Sequence, residues 1–297
     1  MGMRVDWGID FKGAVCAAGA ALAAMLAAPA AMAEEAVDWQ MGFQAAATPV
    51  RERIDWLHNQ LLVIITVIAL FVLALLLYVI VKFNAKNHPT ASQTTHNTLL
   101  EVIWFAVPCL ILLYIAIPSF KLLYYVDRTQ KADMTLKVTG HQWYWTYEYP
   151  DQGLTEAAGL EITSNLLVPE DKPVMVGQKR LLDVDNPVVV PVGATIRVLV
   201  VGTQPAIHSW FLPAAGVQEY AVVGRTNESW MRIERAGTFY GQCNQICGIR
   251  HSFMPIEIQA VPKDEFDKWV AARKAPPQKK AAAETPSDLH LAAAGGQ

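Results

Sequence analysis

Two long stretches without ionic side chains constrain this chain most. From Leu61 to Val81 no residue is charged, and a helix crosses the hydrocarbon core of a bilayer with about 20 residues. A second apolar run extends from Leu99 to about Leu123, with Glu101 near its start, Lys121 near its end and Pro108 inside. Proline is tolerated in membrane helices better than in soluble ones. Both runs are apolar all round, unlike an amphipathic helix that shows one face to water. The sequence therefore predicts a membrane hairpin with spans at about 57–82 and 99–123, within a region 57–125.

An earlier apolar stretch, Ala14 to Ala33, follows Arg4 and Lys12 and ends Pro29-Ala30-Ala31-Met32-Ala33 before Glu34 and Glu35. That pattern reads as a cleaved secretory signal over residues 1–33, the alternative being a first membrane helix. Cys16 lies in it without a lipobox. The link between the spans carries Lys82 and Lys86 and no acid, so it stays cytoplasmic. The segment 34–56 and everything after about Asp127 are then extracytoplasmic. A net charge of −3 removes the usual case for nucleic-acid binding, which calls for a basic stripe.

Beyond Asp127 the chain reads as a domain over 127–272 built from short β-branched and aromatic runs. They lie at 134–138, 142–149, 187–191, 195–201, 229–233, 238–241 and 255–260, separated by Gly and Pro, the pattern of a sandwich or barrel. A helix is predicted over 262–272, with Asp264 and Glu265 near its N-terminus. The Ala/Lys/Pro mixture of 273–297 reads as a disordered tail.

One segment carries chemistry: Gly241-Gln242-Cys243-Asn244-Gln245-Ile246-Cys247-Gly248-Ile249-Arg250-His251-Ser252-Phe253-Met254-Pro255. Thiolate and thioether ligands select copper or zinc, and imidazole suits either. Cys247, His251 and Met254 follow the order of a blue-copper ligand loop, and Cys243 adds a second thiolate, so that a pair of ions can be bridged. A second imidazole comes from a distant strand, at His208 in Ile207-His208-Ser209-Trp210. Met254 and a backbone carbonyl such as that of Gln245 suit weak axial positions. Two duller readings stay open: a Cys243–Cys247 disulfide, and structural zinc on the two cysteines and two histidines.

With these residues in view the chain resembles subunit II of the haem-copper cytochrome c oxidases over roughly residues 50–272. Besides the Cys/His/Met loop, the resemblance rests on His96-Asn97-Thr98-Leu99-Leu100-Glu101-Val102-Ile103-Trp104, on Gly140-His141-Gln142-Trp143-Tyr144-Trp145-Thr146-Tyr147-Glu148-Tyr149 and on Asp185-Asn186-Pro187-Val188-Val189. It implies a two-helix transmembrane hairpin followed by an all-β cupredoxin-like Greek-key sandwich or barrel. It implies a dinuclear copper centre held by His208, Cys243, the carbonyl of Gln245, Cys247, His251 and Met254. The expected activity is that of a proton-pumping oxidase, a translocase. Electrons from cytochrome c enter at the copper centre and pass to haem in subunit I, where oxygen is reduced to water. Trp143 matches the aromatic of electron entry, Glu101 a carboxylate at the cytoplasmic entrance of a proton path, and Arg225 a basic residue near subunit I. Expected partners are cytochrome c, subunit I with its haem and copper, and a subunit III. The expected location is a bacterial inner membrane with the copper domain on the periplasmic side. Nitrous oxide reductase shares the loop but not the hairpin with Glu101. A quinol-oxidase subunit II lacks copper, and a copper-delivery protein would favour exposed Cu(I) sites.

The sequence also departs from the family pattern. Gln245 stands where a glutamate usually helps hold magnesium at the subunit I interface, so intact copper and weaker magnesium binding are expected. Gln204-Pro205-Ala206, Tyr220 and Val223 replace a usual acid, aspartate and proline. An acidic docking face for cytochrome c is nevertheless expected from Glu148, Asp151, Glu156, Glu161, Glu170, Asp171, Asp183 and Asp185 against Lys172, Lys179 and Arg180.

Overall fold

The structure is a computed structural model that describes residues 35–275 apart from 91, 128–130 and 169–171. The expected signal segment 1–33 and most of the expected tail lie outside the described residues. Helix α1 spans Pro49–Lys82 and helix α2 spans Thr98–Asp127. Both are long and apolar enough to cross a membrane. Their apolar side chains face outward along most of their length, as at Val81 and Leu99, which are 69% and 71% exposed. Such a surface is stable in lipid and a liability in water.

Helix α1 starts before the apolar run, and its cap explains why. Thr48 has an extended backbone, and its hydroxyl oxygen accepts from the Arg51 N–H at 3.1 Å, with Pro49 opening the first turn. Capping oxygens and an N1 proline both favour helix initiation. This polar first turn docks on the β domain. The Thr48 hydroxyl donates to Ala215 O at 2.6 Å, and Arg51 Nη1 donates to Pro213 O at 3.1 Å. At the far end of the hairpin, Asn97 Oδ1 accepts from the Leu100 N–H and caps α2. The chain leaves α2 close to the β domain as well, where Trp230 Nε1 donates to Tyr125 O at 3.1 Å.

The β domain has two five-stranded sheets. Its strands are β1 Met134–His141, β2 Tyr144–Glu148, β3 Ile162–Ser164, β4 Val188–Pro191, β5 Ile196–Gly202, β6 His208–Leu212, β7 Val217–Ala221, β8 Asn227–Met231, β9 Gly237–Cys243 and β10 Pro255–Val261. One sheet runs β3-β2-β1-β5-β8 and the other β4-β10-β9-β6-β7. The β1/β5 and β4/β10 pairs are parallel, and the other pairs are antiparallel. In β1 and β5 burial alternates residue by residue, with Leu136, Val138, Val198 and Val200 inward, as a period of two requires. Trp145, Tyr147, Trp210 and Phe239 are fully buried among them. Helix α3, Lys263–Lys274, buries Phe266 beside Tyr149.

Two strand predictions and one surface prediction differ from the structure. The run at 142–149 begins as strand only at Tyr144, because Gln142 and Trp143 form the turn from β1. Strands β3, β6 and β7 escaped the pattern search. In β6, four of five residues are buried, so no alternation marks it. Glu148 is buried and pairs with Lys137, its partner across β1 and β2, so it does not belong to an acidic docking face.

Candidate metal centre

Strand pairing brings the expected ligands to one end of the second sheet. Strands β9 and β10 are antiparallel, with Gln242 opposite Pro255, so residues 244–254 form a long loop between them. On the other side of β9, Trp210 of β6 pairs with Cys243, and the Asn244 N–H extends the ladder to Ser209 O at 3.1 Å. His208 therefore stands beside the root of the loop. Gly241 makes this approach possible: a Cβ there would lie 2.1 Å from Phe211 O.

All six expected groups converge. Cys243 Sγ lies 3.9 Å from Cys247 Sγ, 4.0 Å from His208 Nδ1 and 3.3 Å from Gln245 O. Cys247 Sγ lies 3.5 Å from His251 Nδ1 and 3.6 Å from Met254 Sδ. The cysteines are free thiols, and their separation exceeds the roughly 2.05 Å of a disulfide bond. The disulfide reading is set aside. One imidazole sits at each end of the sulfur pair, His208 by Cys243 and His251 by Cys247.

The surroundings fit a metal better than an empty polar cluster. His208 is fully buried and its Nε2 has no hydrogen-bond partner, while Nδ1 faces only a sulfur at van der Waals distance. A buried polar group so poorly satisfied is costly to fold. A metal–thiolate bond is about 2.3 Å long, as for zinc, so a single ion can touch both sulfurs. Burial pushes the Cys247 thiol up to about 12, and neighbouring Cys243 adds to the effect. Burial, with His141 and His251 adding to it, pulls His208 down to about 4. The metal-free site therefore holds a neutral imidazole and a protonated Cys247 thiol.

This sets a pH dependence. The folded value of His208 lies below its unfolded value of about 6.5. The stability it contributes is present above that value and is lost as pH falls toward about 4. For the metal-free chain, the thermal unfolding midpoint is expected to fall across this window, and His208→Gln is expected to flatten the fall.

The loop is held from behind by the turn between β1 and β2. Gln142 Nε2 and Trp143 Nε1 both donate to Cys247 O at 3.2 Å, and Trp145 Nε1 donates to Met254 O at 3.1 Å. Three side chains thus fix two of the candidate ligand residues through their carbonyls. Gly140 leaves room for them: a Cβ there would meet Trp145, Ala221 and His208 at 3.0–3.2 Å. The sequence pattern placed Gly140, Gln142 and Trp145 in one motif but gave none of them a role at this site. A buried tryptophan N–H usually finds an acceptor, which is the signal that could have raised Trp145.

Trp143 is half-buried, and its ring packs on Gly248, where a Cβ would lie 3.1 Å from Cζ2. Glu101 is not part of this cluster. It is exposed in the first turn of α2, about 40 Å along that helix from the β domain at 1.5 Å per residue. Arg225 is exposed in the turn between β7 and β8.

Residues 134–261 match the family model for the periplasmic domain of cytochrome c oxidase subunit II, and residues 36–122 match that for its transmembrane domain. A probable cytochrome c oxidase subunit 2 of Rickettsia bellii (strain RML369-C) is 46% identical over 241 residues, covering 81% of this chain and 87% of that protein. Cytochrome c oxidase subunit 2 of Oenothera berteroana is 44% identical over 248 residues, covering 83% and 95%. Among solved structures, the periplasmic domain of subunit II of cytochrome oxidase of Bradyrhizobium japonicum is 47% identical. It aligns with a TM-score of 0.44 and covers 50% of this chain and 97% of that one. With two helices long and apolar enough to cross a membrane, a two-sheet β domain and these matches, the chain belongs to the cytochrome c oxidase subunit II family.

Proposed function

We propose that this subunit receives single electrons from a cytochrome c at a dinuclear copper centre and hands them to haem in subunit I. The observation that carries the reading is the convergence of Cys243, Cys247, His208, His251, Met254 and the Gln245 carbonyl at 3.3–4.0 Å spacings. A thioether beside two thiolates favours copper over zinc. Copper held there would supply a one-electron redox site, with Cys243, Cys247, His208, His251, Met254 and the Gln245 carbonyl as the groups that would hold it. The chain's own part is to keep that site rigid. Cys243 is fixed by the β6/β9 ladder, Cys247 by Gln142 and Trp143, and Met254 by Trp145. A frame that does not move when charge changes leaves little to reorganise during transfer.

Trp143 provides the way in. Its indole is partly open to solvent, and its N–H bonds the carbonyl of Cys247, so one hydrogen bond and one residue separate the ring from a ligand sulfur. Donor docking rests on the acids that remain outward. Carboxylate oxygens of Glu156 and Glu161 lie within 4.8 Å of one another and of Glu148, and they steer a basic donor in a salt-dependent way. The copper domain lies on the periplasmic side of a bacterial inner membrane. Glu101, at the other end of the hairpin, serves proton entry into subunit I, where oxygen is reduced and protons are pumped, and a subunit III completes the complex. Gln245 offers its carbonyl but no carboxylate, so magnesium at the subunit I interface is bound weakly.

The test is Trp143→Phe in the assembled oxidase. Copper content is expected to stay near full, because Gln142 still holds the Cys247 carbonyl, while the rate of electron entry from reduced cytochrome c falls by at least about tenfold, equal to ~1.4 kcal/mol of barrier. An unchanged entry rate with full copper content would contradict the assignment.

A further inference from the structure

The two helices part at the end that carries the β domain and leave a cleft of about 420 Å³ between them. Arg53 and Trp56 of α1 and Lys121 of α2 line it, with Tyr114, Ile117 and Leu122. Two features decide what it can hold. Among the described residues its lining contains two cations and no carboxylate. Neither cation has a carboxylate partner there either. Arg53 lies 3.5 Å from the centre of the Tyr125 ring, a contact that orients the guanidinium without neutralising it. Nearby Arg51, by contrast, is spent on Asp55 and Pro213 O.

The second feature is depth. Arg53 precedes the uncharged run at Leu61 by eight residues, about 12 Å along a helix, which places it at headgroup level. Lys121 closes the apolar part of α2 from the same side, with no other charge back to Glu101. Trp56 between them is the residue type that settles at a membrane–water boundary. Below, the cleft becomes apolar at Ile117, and Tyr114 donates to Gln60 Oε1 at 3.5 Å to join the helices. Cations above and apolar walls below match one molecule, a phospholipid with an anionic headgroup and an acyl chain. Both spans are apolar outward, so lipid is the solvent here.

We infer that Arg53, Lys121 and Trp56 form a binding site for an anionic glycerophospholipid in the leaflet next to the β domain. The site does not depend on the copper centre. Its cations hold the phosphate, the tryptophan seats the glycerol region, and Ile117 and Leu122 pack one acyl chain. A bound lipid would wedge the two helices at the point where Thr48 and Tyr125 anchor them to the β domain.

The test uses the assembled oxidase in nanodiscs containing a trace of acyl-diazirine phosphatidylglycerol or acyl-diazirine phosphatidylcholine, with labelled peptides mapped by mass spectrometry. Labelling within residues 53–57 and 114–122 is expected to favour phosphatidylglycerol by roughly thirtyfold, given about 1 kcal/mol for each of the two basic residues near a charged surface and about 1.4 kcal/mol per tenfold. Arg53→Gln with Lys121→Gln is expected to bring the ratio to about one at unchanged copper content, while Arg53→Lys with Lys121→Arg keeps the preference. Equal labelling by both lipids, absence of label from these segments because another subunit fills the cleft, or a preference that survives the glutamine pair would each overturn the assignment.

Discussion

Replacing Cys247 with serine is expected to empty the site while leaving the fold in place. Its sulfur is a hub: it lies 3.5 Å from His251 Nδ1, 3.6 Å from Met254 Sδ and 3.9 Å from Cys243 Sγ. Cys243 touches as many of the candidate ligands, at the other end of the sulfur pair. Serine is close in size, and Cys247 sits in a loop rather than in the sheets, so packing changes little. Losing even a supporting partner of a ligand costs about 10–100-fold in metal affinity, and losing a bridging thiolate is expected to cost more than about 100-fold. Metal analysis of the purified oxidase should find the copper of this subunit gone, and turnover with cytochrome c should fall with it. Met254→Leu is the comparison: an axial thioether binds weakly, so copper should remain and only the spectrum shift. A Cys247→Ser protein with full copper content would show that the sulfur pair does not bridge.

The largest structural effect is expected at Gly241, which no chemistry marks. An added methyl would stand 2.1 Å from the carbonyl oxygen of Phe211 and 3.3 Å from Leu212 Cα. Backbone cannot step aside as a flexible side chain can, so β6 and β9 must separate. Those strands carry His208 and Cys243, and the short ladder of Trp210–Cys243, Phe211–Gln242 and the Asn244 N–H to Ser209 O registers them. Gly241→Ala is therefore expected to cost about 3 kcal/mol or more, the upper range for overpacking. The unfolding midpoint of the full chain should drop by roughly 6–12 °C, at 2–4 °C per kcal/mol for a domain of this size. Copper affinity should fall in the same variant, because the ligands on both strands move apart. The conservative control is Gly153→Ala, where a Cβ meets nothing within 4 Å and the cost is limited to its left-handed backbone. If Gly241→Ala matched that control in both stability and copper content, the close approach of the two strands would not be essential.

The legible and illegible parts of the sequence divide along physical lines. The hairpin was legible because lipid imposes a long uncharged run, and Leu61–Val81 meets it without help from any partner. The first turns of α1 were not, because Arg51, Glu52, Arg53 and Asp55 read as a polar segment. Their helix depends on the Thr48 cap and on Pro213 and Ala215 of a distant turn. The cluster of Cys243, Cys247, His251 and Met254 was legible because closely spaced soft metal-binding side chains restrict residue types more tightly than packing does. What holds that loop was not: Gln142 and Trp145 act through main-chain carbonyls more than one hundred positions away, and any loop residue offers a carbonyl. Glu148 shows the same limit in the opposite sense. Its charge suggested a surface role, and only the register of β1 against β2 reveals that Lys137 neutralises it.

The most direct test of the central claim is the electron paramagnetic resonance spectrum of the oxidised subunit, purified with its copper and read beside its metal content. About two copper ions per subunit are expected at the two thiolates, with hyperfine structure from an unpaired electron shared equally by both nuclei. A single-copper spectrum, or zinc in place of copper with no signal at all, would contradict that claim.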